Sequence, residues 1–157
     1  MTGRSEVDRL KKRLDATFER CGKLGPGADM EVQSDLASYL CVLVSGYLER
    51  AAAELVIEHA RRSGGPTLQR YVEASTRRFG NANCERLKKL LGNFHLDWRA
   101  RLDSFLVDEF KEAVDSIVSL RNEIAHGGSA GITYSRIMGY YVLVQRVIDE
   151  ISGLCAT

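Results

Sequence analysis

The chain has 157 residues, a formal net charge of +1 and 45% apolar residues, enough for one domain that buries its own core without staples. Its four cysteines (Cys21, Cys41, Cys84 and Cys155) form no C-x-x-C pair and only three histidines occur, which excludes zinc-site spacing and makes a reducing, cytoplasmic compartment the expectation. The most apolar run, Tyr39 to Leu48, is far short of a membrane span of about 20 residues, and the charged stretch from Met1 to Arg13 reads as no signal peptide.

In chain order, Ser5 with Asp8 resembles a capping box. Val7, Leu10, Leu14, Phe18 and Cys21 follow at helical spacing, which predicts a helix over 1–25. Leu24-Gly25-Pro26-Gly27 breaks it. A second helix is expected from Asp29, with Leu36, Leu40, Leu43, Val44, Tyr47, Leu48, Ala51 and Leu55 spaced three and four apart as far as about Arg62. Ser63-Gly64-Gly65-Pro66 stops that helix and starts another over Thr67–Arg78, because proline suits a first helical turn. Phe79–Asn83 reads as a turn whose Asn83 caps a fourth helix to Leu91, and Asp97 opens a short turn to Leu102.

A long helix begins near Val107, with Phe110, Val114, Ile117, Val118, Arg121 and Ala125 on its stripe. It ends at Gly127-Gly128-Ser129-Ala130-Gly131. The last helix, Thr133 to Ile151, is apolar on two faces: Tyr134, Ile137, Met138, Tyr141, Val144, Ile148 and Ile151 on one, Tyr140, Leu143 and Val147 on the other. A helix of that kind is central or shared with a partner. With no convincing alternating strands, the expectation is one all-α, up-and-down bundle over 1–157, its core at 30–153.

The chemistry concentrates in Arg121-Asn122-Glu123-Ile124-Ala125-His126-Gly127. Arginine clamps phosphate through two parallel hydrogen bonds, histidine moves protons near neutral pH, and asparagine can hold a phosphate oxygen or orient the ring. Arg121 falls on its helix's apolar stripe, where a charge needs a partner. His126 lies about 140° further round, so the two converge if the last turn relaxes or if a second subunit completes the site. A plainer account stays open: Arg121 paired with, or oriented by, Glu49 on the second helix, and His126 capping its own helix.

The net charge hides a basic middle. Residues 59–101 carry a net +7, against −2 before them and −4 after. Arg77, Arg78, Lys88 and Lys89 are the candidate RNA-binding residues there, with solvated helix faces as the alternative. Trp98, between Arg99 and Arg101, is either a base-stacking residue or a core-edge filler. His59 reads as a surface or capping residue.

The R-x4-H spacing, the glycine stop and the final apolar helix resemble the HEPN domains (higher eukaryotes and prokaryotes nucleotide-binding), and within them the RiboL-PSP-type subgroup. The architectural likeness covers residues 30–153 and the specific motif only Arg121 to Gly127. The resemblance implies a dimer with two motifs facing one cleft, and cleavage of single-stranded or looped RNA without metal or cofactor. Arg121 and His126 would be catalytic and Asn122 would bind substrate. It also implies a toxin or anti-phage setting, with a cognate inhibitor protein as a further partner. The rivals are a HEPN module that binds nucleotide or RNA without cutting it, and a purely structural oligomerisation domain.

Overall fold

The computed structural model describes residues 2–128 and 131–157; Ser129 and Ala130 of the expected glycine loop lie outside them. Six α-helices, a 3-10 turn over Gly25–Gly27 and no strand occur among the described residues: α1 (Gly3–Leu24), α2 (Met30–Thr76), α3 (Cys84–Gly92), α4 (Leu96–Phe105), α5 (Asp108–Ala125) and α6 (Tyr134–Cys155). No helix is long and apolar enough to cross a membrane.

Local chemistry starts these helices. The cap of α1 is Thr2 rather than Ser5: the Ser5 N–H donates to Thr2 Oγ1 at 3.2 Å. Asp29, Asn83 and Thr133 cap α2, α3 and α6 by accepting from the N–H groups of Val32, Arg86 and Arg136. The stop and restart expected at Ser63–Pro66 fall at Gly65, which leaves helical geometry (φ 75°, ψ −166°), so that α2 is two helical segments that meet at a kink. Pro66 disfavours helical geometry at the residue before it and has no N–H to bond backwards, so the break falls at Gly65 and helical structure resumes at once.

The core is built on α2. Leu40, Cys41, Val44, Leu48, Ala51, Ala52, Val56 and Ala60 are fully enclosed, and α1, α5 and α6 pack around them. The directions alternate. The start of α1 abuts the middle of α2, so closely that a Cβ on Gly3 would lie 2.6 Å from the Glu54 carbonyl. Tyr134, at the start of α6, donates to the Phe18 carbonyl near the end of α1 at 3.0 Å. Phe18 stacks on Tyr141, with ring centroids 4.6 Å apart. Helices α3 and α4 pair with each other, and α3 docks on α5 through the Cys84 N–H, which donates to Asp115 Oδ1 at 3.0 Å.

Most of both apolar faces of α6 is covered within the chain: Tyr140 and Val147 are buried, as are Ile137 and Ile148. The helix is central to the bundle, while Leu143 on its second face stays half-buried.

His59 is a core residue, only 8% exposed, and so no surface group; what it caps is the end of α6, not its own helix. Its Nδ1 lies 3.2 Å from the Cys155 carbonyl, its Nε2 3.4 Å from Ser63 Oγ, and its ring 4.7 Å from that of Trp98. The neutral ring satisfies both contacts, with Nδ1–H donating and Nε2 accepting. Burial pushes its pKa below the ordinary value, with His95 and Arg62 adding to the effect and the Cys155 carbonyl opposing it. The unfolded chain therefore takes up this proton first as pH falls, and stability present above about pH 6.5 is lost below it. The melting temperature should be lower at about pH 5.5 than at about pH 7.5. His59→Gln should flatten that difference, as calorimetry at the two pH values would show.

Candidate functional site

The rotation of α5 about its own axis is set by Ala113, Val114, Ile117 and Val118, all buried against the core. Arg121 and Asn122 follow Ile117 and Val118 by one turn, and both are half-buried. Arg121 Nη1 donates to Asn122 Oδ1 at 3.3 Å. Among the described residues, Arg121 forms no ion pair with a carboxylate. Glu49 does not orient it. The Glu49 carboxylate accepts from the Asn81 N–H at 3.0 Å, holding the α2–α3 connection at a residue with positive φ (49°). The backbone bend there claims the carboxylate that spacing alone offered to Arg121.

At the other end of the motif, glycine chemistry places the histidine. The Gly128 N–H donates to the Glu123 carbonyl at 2.9 Å and the Gly127 N–H to the Ile124 carbonyl at 3.1 Å. Gly127 has a φ of 81°. This is a Schellman cap, which requires a left-handed residue after the last helical one. His126 is therefore the C-cap, exposed at the helix end, where the dipole's negative end suits a cation.

An open groove of about 530 Å³ runs past His126, walled by Ser119, Asn122, Glu123 and Gly128. Ser119, Asn122, Glu123 and His126 are spaced i, i+3, i+4 and i+7, one face of a helix. That spacing is the sequence signal for Ser119 and Glu123, which the arginine–histidine interval alone does not mark. Arg121 is not in this wall. Asn122 joins the two parts: its amide oxygen holds the guanidinium, and it lines the groove beside His126.

The basic middle divides. Lys88 is largely enclosed and bonded to Asp103 at 3.2 Å and Glu85 at 3.5 Å, so it braces α3 against α4 and is not free for RNA. Arg77, Arg78 and Lys89 are exposed. Trp98 is buried against His59 and Phe94 and is a core residue. Burial pushes the Cys41 thiol up to about 11, and those of Cys84 and Cys155 to about 12. These three are poor nucleophiles near neutral pH. Among the described residues, no three His, Cys, Asp or Glu side chains converge as a metal site would need.

With no ion pair to break, Arg121→Ala should change stability by about 0.5 kcal/mol or less, as for an ordinary surface substitution. Gly127→Ala should cost about 1–2 kcal/mol, because alanine is strained at that positive φ. Urea unfolding of both variants measures the contrast.

No curated protein and no solved structure matches the chain, while the family described as RiboL-PSP-HEPN matches residues 5–157. That span takes in every helix of the bundle apart from the first residues of α1, and with it the half-buried arginine, the asparagine and the histidine cap at the end of α5. The chain belongs to the RiboL-PSP-HEPN family.

Proposed function

We propose that the protein is a metal-independent endoribonuclease that cuts single-stranded or looped RNA as a homodimer. The observation that carries this reading is Arg121: half-buried at the wall of the bundle, without a carboxylate partner among the described residues, and steadied by an amide that also lines the His126 groove. A guanidinium so placed is available to a phosphate oxygen. Family membership supports the same reading.

In the proposed reaction a 2′-hydroxyl loses its proton to a base and its oxygen attacks the adjacent phosphorus. The 5′-oxygen leaves with the bonding pair and takes up a proton, giving a cyclic 2′,3′-phosphate and a 5′-hydroxyl end. Arg121 stabilises the charge that builds on the non-bridging oxygens. His126 acts as the base or the acid, and Asn122 holds substrate. Flexible RNA is favoured because in-line attack needs a backbone free to rotate.

One chain holds one motif histidine, and its Arg121 stands outside the groove of its own His126. A two-fold partner that brings a second motif to the same cleft, through α5 and α6, would supply both a base and an acid. The setting proposed by family analogy is cytoplasmic toxin or anti-phage defence, held in check by a cognate inhibitor protein. A second reading, a HEPN module that binds RNA without cutting it, is favoured by the same separation of Arg121 from the His126 groove.

Cleavage of mixed RNA should persist in EDTA. His126→Ala should lower it by about 10²–10⁴-fold, as for a general acid–base group, with RNA binding much less affected. Arg121→Ala should impair both, and Arg121→Lys should not restore them fully, since an ammonium lacks the two-pronged fork. Undiminished cutting by a folded Arg121→Ala protein would end the assignment.

A further inference from the structure

The surroundings of the motif are poor in free positive charge. Its groove carries the Glu123 carboxylate. A neighbouring groove, which shares Ser119 with it, runs along α5 and is lined by Asp108, Glu112 and Asp115. The cations there are already engaged: Lys111 bonds Asp115 at 2.6 Å, and Arg136 bonds Glu112 at 3.3 Å and the Tyr140 hydroxyl at 3.0 Å. Arg121 alone is a small counter-charge for a polyanion whose affinity comes from many phosphate contacts.

The missing charge lies elsewhere on the same framework. A groove of about 450 Å³ at the α3–α4 pair is lined by Arg86, Lys89, Arg99 and Asn93, with Glu85 as its carboxylate. Among the described residues, Arg86 and Lys89 form no ion pair with any carboxylate. The Arg86 guanidinium sits 5.9 Å from the centre of the Phe79 ring, which limits where it can point. The Arg99 stem lies against Gly92, where an added Cβ would come within 3.2 Å of Arg99 Cβ. Two cations free of carboxylates, Arg86 and Lys89, with Arg99 beside them sharing its charge with Glu85 at 3.5 Å, make a track for a phosphate backbone.

Its place relative to the motif is set by Asp115, which accepts the Cys84 N–H and so ties the first turn of α3 to α5. From Asp115 to His126 is eleven residues of α5, roughly 16 Å along the helix axis. We infer that the Arg86–Lys89–Arg99 groove binds the phosphate backbone of single-stranded RNA several nucleotides away from the bond at the motif. The inference rests on the reading that RNA is the substrate. It makes affinity the task of α3 and α4, and chemistry the task of the end of α5.

The test uses the full chain and fluorescent single-stranded 2′-O-methyl RNA of mixed sequence, about 20 or about 4 nucleotides long, which internal hydroxyl attack cannot cut. Affinity is measured by anisotropy over a range of salt, for the wild type, Lys89→Gln and Arg86→Gln/Lys89→Gln, with melting curves to verify folding. The longer RNA should bind the wild type more tightly than the shorter. The double variant should lose about 1.4 from the magnitude of the salt slope, and Lys89→Gln about half of that, at roughly 0.7 per phosphate contact on a single strand. An unchanged slope in both folded variants would overturn the inference. So would tight binding of a polyglutamate peptide without binding of RNA, which would make the groove a site for acidic polypeptides. Unmodified RNA in EDTA separates this from the nuclease reading. RNA held by the groove but never cut would uphold the groove and sink the nuclease; RNA cut by the wild type with a slope indifferent to the groove variants would do the reverse.

Discussion

The enclosed stripe of α2, from Leu40 to Ala60, is the constraint on which the rest of the structure depends. Three helices bury their apolar faces on it, and burial of each large side chain is worth about 1.5–3 kcal/mol. Once Val114, Ile117 and Val118 are seated, α5 cannot turn about its axis without exposing them. Everything beyond Val118 is then aimed by helical geometry: Arg121 and Asn122 one turn on, half-covered by the bundle, and His126 at the open end. The motif is aimed by core packing and terminated by two glycines. The core fixes the direction of the arginine, and the left-handed Gly127 fixes the position of the histidine.

Much of this was legible in the sequence, because apolar side chains at helical spacing are themselves the packing instruction. The stripes of α2, α5 and α6 gave the all-α class, and Asn83 announced the start of α3. Other features depended on partners distant in the chain. Glu49 is spoken for by a bent backbone more than thirty residues away, at Asn81. Lys88 is bound by Asp103, on the helix that follows its own. His59 looked like a surface residue among arginines until the end of α6 came to rest on its ring. Two apolar faces on α6 suggested a helix that is central or shared with a partner, and the bundle buries Ile137, Tyr140, Val147 and Ile148 among its own side chains. Periodicity tells which side chains need covering and does not tell what covers them.

The same distinction applies to charge. A run of basic residues in the sequence is an inventory, and the fold decides which members remain free. Arg61, Arg62, Arg99 and Arg101 each reach a carboxylate, while Arg86 and Lys89 reach none among the described residues. Around the motif, acids on α5 occupy the nearby cations. On the proposed reading, substrate affinity and bond cleavage are separated in space on one frame, a separation expected when binding is dominated by phosphate contacts and catalysis by a few positioned groups.

The central claim is that Arg121 and His126 use the RNA's own 2′-hydroxyl as the nucleophile. The most direct measurement maps the ends produced in EDTA from an RNA that carries one 2′-deoxynucleotide at a mapped cleavage position. The account predicts cyclic 2′,3′-phosphate and 5′-hydroxyl ends at every other site and no cut at the deoxy position. Ends bearing a 5′-phosphate and a 3′-hydroxyl, or cleavage at the deoxy position, would contradict it.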